Sequence, residues 1–327
     1  MDFRINIKHN GSINILQITD MQIIDAEQQR YEGRLTPADS AKWTPGKKEE
    51  NVYSHIRYLI RETNPDLIII TGDITYGEFD DSGKTQLEFI DFMESFKIPW
   101  APIYGNHDNE TYKGIDWQCE QYTNAKYCVF KRGKVSGNSN YSIGLFQNDE
   151  LQKVLYMLDS NGCRKRNIEL GFREDQLEWL RDQAEEIRRN TPQVTSFAAF
   201  HIPTIDFSNA LIVAGYQKDY DAVEGNFDKY EIGKDVPAQN GDFGKKWERL
   251  QHIYNKSLHS LFRECRIDGV FAGHFHKDNF SVLYDGIRYT IGLKTGLYDY
   301  HDDEALGGTL ITLHKDLFEV RHVYYKV

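Results

Sequence analysis

The segment LIIITGD, residues 67–73, decides how this chain folds. Its first four residues are apolar and three of them are isoleucine, a run that is typical of a strand buried on both faces of a sheet. The run stops at Thr71, and Gly72 and Asp73 follow at once. Strands of this kind occur mostly in parallel sheets that helices cover on both sides. We therefore expect a parallel sheet with a polar side chain at the end of this strand.

Strand and helix patterns alternate on both sides of this segment. Residues 13–19 predict a strand before it, and residues 100–104 predict a strand after it. Residues 51–63 and 87–96 lie between these strands and repeat apolar side chains at helical spacing. The order strand, helix, strand, helix, strand indicates parallel pairing and an α/β fold.

The rest of the chain is predicted to add strands, two helices and two long loops. The predicted strands span residues 141–146, 153–159, 194–200 and 269–272, the predicted helices span residues 172–189 and 243–266, and short strands are predicted over residues 280–327. Residues 112–138 and 206–244 are predicted to be loops, because Gly, Asn and charged residues dominate them. No stretch has the composition of a linker, which predicts a single domain over residues 1–327.

The composition excludes several classes of function. The 327 residues carry 39 basic and 50 acidic side chains, a net charge of −11, so the chain lacks the basic surface that nonspecific binding of nucleic acid requires. No apolar run approaches the ~20 residues of a membrane-spanning helix, and we expect no membrane partner. Residues 1–9 do not have the pattern of a signal peptide, which predicts a cytoplasmic protein.

Five apolar runs are each followed directly by side chains that bind metals. These side chains are Asp20, Asp73, Asn106 with His107 and Asp108, His201, and His274 with His276. Ligands of α/β sheets bind at the carboxyl ends of the strands, so the five positions converge if the strands lie in one sheet system. Two carboxylates, one amide oxygen and three imidazoles suit Fe, Mn or Zn better than Ca or Mg, which prefer oxygen ligands alone.

Each of these residues also has an ordinary explanation when it is taken alone. Asp20 and Asp73 could cap helices, and Asn106 could lie in a turn. His201 could be a buried histidine with a satisfied hydrogen bond. The repetition of one pattern at five strand ends favours a shared metal site over five unrelated explanations.

The same residues, in this order, resemble the motifs of the calcineurin-like metallophosphoesterases. The matching motifs are Asp20-x-Gln22, Gly72-Asp73, Gly105-Asn106-His107-Asp108, His201, and Gly273-His274-Phe275-His276. The resemblance extends over about residues 13–292. Phe200-His201-Ile202-Pro203 and the stretch 292–308 are similar to the plant and fungal subgroup of purple-acid-phosphatase-like proteins.

The resemblance implies both a fold and a metal centre. The fold is a four-layer α/β sandwich, in which two mixed β-sheets pack face to face and helices flank them. The centre holds two ions, with Asp20 and His276 on the first ion, Asp73 bridging both, and Asn106, His201 and His274 on the second. We expect the ions to be Fe, Mn or Zn, in line with the mixed oxygen and nitrogen donors.

The resemblance also implies a reaction. A water activated between the ions attacks the phosphorus of a phosphate ester directly, and His107 assists the leaving oxygen while Asp108 orients His107. We expect the substrate to be a phosphorylated small molecule or a phosphoprotein. Tyr298 and His301 are candidates for the substrate pocket, although a solvated turn explains His301 equally well.

Two positions depart from the commonest pattern of the family. Gln22 stands where many members have histidine, and a neutral amide oxygen predicts that the first ion is bound more weakly or is of a different kind. Tyr76 lies three residues after Asp73, where purple acid phosphatases place an iron-binding tyrosine. Our hypothesis for Tyr76 is that it binds Fe(III).

Two alternatives to a phosphomonoesterase stay open at this point. The first is a phosphodiesterase or nucleotide diphosphatase at the same site, because the pocket walls rather than the metals select the substrate. The second is an interaction module that keeps the fold without catalysis. The nearly complete ligand set disfavours the module, and metal analysis of the purified chain distinguishes the two classes.

Overall fold

Two large β-sheets with helices on their outer sides form this protein. The computed structural model describes residues 1–214, 253–314 and 317–325, together with the backbone of two strands at 216–219 and 229–232. Phe197 of one sheet contacts Phe318 of the other, with ring centroids 4.7 Å apart, so the sheets pack face to face. The prediction of a four-layer α/β sandwich is confirmed.

The strands and helices are numbered here along the chain. The strands are β1 (Phe3–Ile7), β2 (Ile13–Ile18), β3 (Leu67–Ile70), β4 (Trp100–Pro102), β5 (Tyr141–Gln147), β6 (Glu150–Met157), β7 (Asn161–Cys163), β8 (Ile168–Leu170), β9 (Ser196–Ala199), β10 (Tyr216–Asp219), β11 (Lys229–Ile232), β12 (Ile267–Ala272), β13 (Phe280–Tyr284), β14 (Ile287–Ile291), β15 (Gly307–Leu313) and β16 (Phe318–Tyr324). The α-helices are α1 (Pro37–Lys42), α2 (Ser54–Thr63), α3 (Lys84–Glu94), α4 (Ile115–Asn124), α5 (Glu174–Asn190), α6 (Ile205–Val213) and α7 (His259–Glu264).

The five-stranded sheet contains the segment that was expected to decide the fold. Its strand order is β16-β15-β2-β3-β4, and β2, β3 and β4 pair in parallel as predicted. All four residues of β3 are buried, and the strand pairs with β2 on one side and with β4 on the other. A run of four branched aliphatic residues fits such a position, since neither face of the strand meets water.

The seven-stranded sheet supplies the second half of the sandwich. Its order is β1-β5-β6-β9-β12-β14-β13, with β6, β9, β12 and β14 running parallel to one another. The polar strand ends predicted from the sequence therefore divide between two sheets, because β2, β3 and β4 belong to one and β9 and β12 to the other. They converge through the packing of the sheets and not within a single sheet.

Three predictions about helices and loops are wrong in part. The predicted loop 112–138 contains α4, whose apolar stripe is sparse in sequence but packs its Tyr122 ring against Trp100 at 5.9 Å. The predicted loop 206–244 begins inside α6, whose apolar residues precede the long polar stretch on which the loop prediction rests. The predicted helix 243–266 is reduced to α7 among its described residues, and residues 243–252 lie outside the described part of the chain.

Helix lengths and apolar content bear on the membrane prediction. Across residues 1–214, 253–314 and 317–325, no helix combines the length and the apolar character that crossing a lipid bilayer requires. The single-domain interpretation of residues 1–327 stays a prediction.

Candidate metal centre

The carboxyl ends of five strands from both sheets meet at one place. The backbone N–H of His274, which follows β12, donates to Asp20 Oδ2 at 2.9 Å, and Asp20 follows β2. His201, which follows β9, places its Nδ1 2.7 Å from the carbonyl oxygen of Thr71, at the end of β3. These two contacts join the edges of the sheets and bring distant parts of the sequence together.

The backbone turns sharply where the metal-capable side chains leave the strands. Asp20, Asp73 and His274 have φ angles of 51°, 52° and 75°, a left-handed conformation that residues with a side chain seldom adopt. Such conformations persist where the surrounding structure holds them, and they cluster at functional sites. Gly105 allows a close approach, because a Cβ there would lie 2.1 Å from Asp73 Oδ1.

The side chains of six predicted ligands lie together. Asp20, Asp73 and His276 are buried and offer ligand atoms within 4.8 Å of one another. His201 Nε2 lies 3.4 Å from Asp73 Oδ2 and 3.2 Å from Asn106 Oδ1. His274 Nδ1 lies 3.3 Å from His201 Nε2. The six donors thus form one continuous cluster, as the sequence pattern predicts.

The hydrogen bonds around the cluster orient its donors toward one another. His201 Nδ1 faces the Thr71 carbonyl, and His276 Nδ1 lies 3.0 Å from the carbonyl oxygen of Tyr300, so each Nδ1 donates and each Nε2 offers a lone pair when its ring is neutral. Metal-binding histidines are held in this way. Asp20 Oδ1 is buried and has no hydrogen-bond partner among the residues that the structure describes. Nitrogen and oxygen atoms that face one another in this way fit the pair of ions that the resemblance implies.

The electrostatics keep the carboxylates ionised and affect the histidines in different directions. Burial alone would raise the pKa values of Asp20 and Asp73, but His276 and His201 hold both far below the usual range. Burial lowers the pKa of His274 to about 3. Burial also opposes a charge on His201, yet Asp73 raises the pKa of His201 to about 9. The carboxylates therefore stay ionised, and protons on the histidines are what a cation would displace.

Gln22 takes part in the cluster through its amide nitrogen. Its Nε2 lies 3.3 Å from Asp73 Oδ2 and 3.2 Å from His276 Nε2. Its Oε1 accepts a hydrogen bond of 2.8 Å from Lys294 Nζ. If Gln22 bound a metal ion as predicted, its Oε1 would face the cluster. In the structure this oxygen faces Lys294 instead.

His107 stands at the open side of the cluster. Its backbone N–H donates to Asp73 Oδ1 at 2.8 Å, and its side chain is 17% exposed. Its Nδ1 lies 3.0 Å from Glu110 Oε2, and its ring stacks on Tyr76 with centroids 3.7 Å apart. The imidazole is thus held by a carboxylate on one nitrogen and by an aromatic ring on one face.

The prediction that Asp108 orients His107 is wrong. Asp108 is buried, and its Oδ1 accepts hydrogen bonds from the backbone N–H groups of Ile74 and Thr75 at 3.0 and 3.1 Å. Its Oδ2 accepts from the N–H of Gly105 at 2.8 Å. Asp108 therefore fastens the turn after β4 to the turn after β3. The orienting carboxylate is Glu110, three residues after the histidine.

The candidates for iron binding and for the substrate pocket have different surroundings. The Tyr76 hydroxyl accepts a hydrogen bond of 3.3 Å from Arg34, which favours a role as a wall beside His107; iron binding by Tyr76 stays a prediction. Tyr298 packs edge-on against Tyr76 at 5.4 Å and so extends this wall. The His301 Nδ1 faces the carbonyl oxygen of Asp299 at 2.8 Å, as in the turn that was weighed for it.

Sequence reasoning missed Glu110 and Lys294. The signal for Lys294 was present, because it follows β14 by three residues and β14 ends at the same edge as β9 and β12. Lysine is not a metal-binding residue type, so the pattern of metal-binding side chains at strand ends does not include it. Glu110 had no signal of its own, because its contact with His107 depends on the short 3₁₀ turn of residues 108–110.

Comparison with known proteins relates this arrangement to phosphoesterases. A family model described as calcineurin-like phosphoesterase matches residues 13–278. Among curated proteins, the chain is 24% identical to the phosphatase DCR2 of Saccharomyces cerevisiae over 309 residues, which is 90% of this chain and 49% of that protein. It is 25% identical over 327 residues to the probable inactive purple acid phosphatase 14 of Arabidopsis thaliana, covering 89% of this chain and 72% of that protein.

The solved structures that resemble the chain share its fold. A dimetal phosphatase from Danio rerio superposes with a TM-score of 0.54 at 12% identity, covering 96% of this chain and 99% of the other. A purple acid phosphatase from yellow lupin (Lupinus luteus) seeds gives a TM-score of 0.50 at 14% identity, covering 96% of this chain and 52% of the other. The chain thus spans about half the length of the yeast phosphatase and of the lupin enzyme.

Proposed function

The chain belongs to the calcineurin-like phosphoesterase family, and we propose that it hydrolyses a phosphate ester at the cluster of Asp20, Asp73 and the surrounding histidines. The match over residues 13–278 confirms the resemblance drawn from the motifs, and it supports a metal-dependent phosphoesterase activity for the chain. The family implies a dinuclear metal centre. For this chain we propose Fe, Mn or Zn, because the donors are a mixture of oxygens and imidazole nitrogens.

One observation carries the proposal: six oxygen and nitrogen donors from two sheets meet in a buried cluster beside a partly exposed histidine. Asp73 lies between the two groups of donors, with Asp20 and His276 on one side and with His201 and Asn106 on the other. A carboxylate in that position can bridge two cations. Two cations held there would neutralise the oxygens of a phosphate ester and activate water for in-line attack on phosphorus.

The chain's own residues supply the remaining steps. His107 is the group that can hold a proton at the open side of the cluster and deliver it to the departing oxygen. Glu110 fixes the ring through the contact at Nδ1, which leaves Nε2 to face the substrate. Asp73 accepts the backbone N–H of His107 and so ties its position to the metal cluster. Glu110 acts through His107 and is a positioning residue.

The open side of the cluster suggests the substrate class. Asn106, His107 and His274 are partly exposed, whereas Asp20, Asp73 and His201 are buried. Tyr76 and Tyr298 form an aromatic wall next to His107. A phosphoryl group can therefore enter from this side with its organic part outside the cluster, as a phosphorylated small molecule or a phosphoprotein side chain would.

A phosphatase assay tests the proposal directly. Purified protein with added Mn²⁺ is expected to hydrolyse p-nitrophenyl phosphate, and His107→Ala and Asp73→Asn are each expected to reduce kcat/KM by a factor of about 10² or more, because general-acid and metal contributions are at least of that size. Glu178→Ala changes an exposed residue of α5 and serves as the control. Undiminished rates in both variants would reject the assignment.

The same assay separates the alternatives. Hydrolysis of bis(p-nitrophenyl) phosphate or of a nucleoside diphosphate at a higher kcat/KM than the monoester would indicate a phosphodiesterase or a nucleotide diphosphatase. The plant relatives carry the words "probable inactive" in their names. A protein that binds Mn²⁺ but hydrolyses none of these esters would support a non-catalytic module.

A further inference from the structure

A buried lysine lies inside the candidate centre. Lys294 is 1% exposed, and its Nζ donates to the carbonyl oxygen of Asp20 and to Gln22 Oε1, both at 2.8 Å. A buried ammonium is costly unless hydrogen bonds and opposite charge surround it. Burial lowers the pKa of Lys294 to about 8, although the carboxylates of Asp20, Asp299 and Asp73 oppose the effect of burial.

The lysine fixes the orientation of the neighbouring amide. An ammonium group only donates hydrogen bonds, so the atom of Gln22 that faces Lys294 is the carbonyl oxygen. The amide NH₂ group must then face Asp73 Oδ2 and the lone pair of His276 Nε2. An NH₂ group cannot bind a cation. With Lys294 in place, Gln22 contributes no ligand atom.

We propose that Lys294 makes the two cation positions unequal, by holding the Gln22 oxygen out of the ligand set and by placing a positive charge beside Asp20. The inference rests on the proposed function, in which the cluster binds two ions. The position formed by Asp20, Asp73 and His276 then has three protein ligands and a nearby ammonium.

The other position differs in both respects. Asp73, Asn106, His201 and His274 offer it four ligands, and the contacts of Lys294 lie on the opposite side, at Asp20 and Gln22. Fewer ligands and a like charge both weaken the binding of a cation. The protein therefore carries one firmly bound ion, and it binds the second only when the free metal concentration is high.

Metal titration of two variants tests this inference without measuring activity. Chelator-treated protein is titrated with Mn²⁺ by calorimetry, and bound Mn²⁺ is counted by elemental analysis. The wild type is expected to bind two ions with Kd values at least about tenfold apart. Gln22→Met keeps the side-chain volume and removes the amide. It should leave both Kd values within about threefold of the wild-type values, because Gln22 is not a ligand.

Lys294→Met should tighten the weaker site by about tenfold or more, because a neighbouring positive charge is removed and the Gln22 oxygen becomes free to turn toward the ion. Lys153→Met is the matched control. Lys153 is also a buried lysine, but it pairs with Thr195 and Asp268 away from the centre, and its loss should change neither Kd. Lys294→Gln is the second variant if Lys294→Met does not fold by circular dichroism.

The possible outcomes are distinguishable. Two equal Kd values in the wild type, a tenfold weakening in Gln22→Met, or no tightening in a folded Lys294 variant would each overturn the inference and leave the proposed function in place. A wild-type protein that binds no Mn²⁺ at millimolar concentration would contradict the proposed function itself.

Discussion

His107 and Glu110 show how a single contact determines the role of a residue. The imidazole is partly exposed and lies beside the metal cluster, and Glu110 Oε2 is 3.0 Å from its Nδ1. The carboxylate engages Nδ1 and so leaves Nε2 for the proposed contact with the substrate, and its negative charge favours the protonated ring. Asp108, the neighbouring acid, is fully engaged with backbone N–H groups. Asp108 is the acidic residue next to His107 in the sequence, but Glu110 is the one that contacts its ring.

Glu110→Ala is predicted to affect the departure of the leaving group rather than metal binding. A poor leaving group, such as that of an alkyl phosphate, needs a proton, whereas p-nitrophenolate leaves without one. We expect kcat on an alkyl phosphate to fall by about 10²-fold and kcat on p-nitrophenyl phosphate by about tenfold or less, with KM and bound Mn²⁺ unchanged. Equal losses on both substrates would contradict the positioning role. Glu120→Gln, at an exposed acid of α4, is the control.

At the scale of elements, the strand ends form the site and the outer helices support it. β2, β3, β4, β9 and β12 each deliver a metal-capable side chain two to four residues after the strand ends, and β14 delivers Lys294. α5 lies on the outside of the seven-stranded sheet, where Trp179 contacts Tyr156 of β6 with ring centroids 6.3 Å apart. Leu180 of the same helix is fully buried. This helix contributes to stability and has no residue in the cluster.

Leu180→Ala is predicted to lower the free energy of unfolding by about 2–5 kcal/mol, because it removes a fully buried side chain and leaves a cavity. Urea denaturation followed by circular dichroism measures the change. The kcat/KM of the folded variant should equal that of the wild type, and Glu178→Ala, an exposed neighbour on α5, should change neither quantity. A large loss of kcat/KM in folded Leu180→Ala would show that α5 positions the centre.

At the scale of the whole molecule, the buried histidines link stability to pH. His322 of β16 is 3% exposed, and its Nδ1 lies 2.9 Å from Thr309 Oγ1 of β15. Burial lowers the pKa of His322 to about 4. The unfolded chain, in which a histidine has a pKa of 6.5, therefore binds more protons than the folded protein between about pH 4 and 6.5. The contribution of His322 to stability is complete above this window and is lost as the pH falls through it.

His322→Asn is predicted to remove this part of the acid sensitivity. The full shift corresponds to about 3 kcal/mol, so the wild type should lose on the order of 2–3 kcal/mol more than the variant between pH 7 and pH 4.5. Asparagine can keep a hydrogen bond to Thr309 and does not titrate. Urea midpoints at the two pH values provide the measurement, and equal losses in both proteins would contradict the prediction.

The sequence by itself determined which strands lead to the centre and which residue types lie there. Buried strands were visible as short aliphatic runs, and the side chains after them were visible as metal-binding types, because both signals are local in the chain. The parallel order of β2, β3 and β4 followed from the helices between them. The helix α4 was missed because its few apolar residues gain meaning only from the surface that they cover, and α6 was missed because its apolar residues precede a long polar stretch.

Only the tertiary structure decided how the centre is assembled. The strand ends come from two sheets, and their meeting depends on the packing of one sheet on the other. Lys294 reaches Gln22 across 272 positions of the sequence, and Glu110 rather than Asp108 reaches His107. No local pattern encodes such contacts, since a side chain's partner is set by where the backbones of distant segments come to lie. The sequence shows the chemistry of each residue, but it does not show which other residue that side chain contacts.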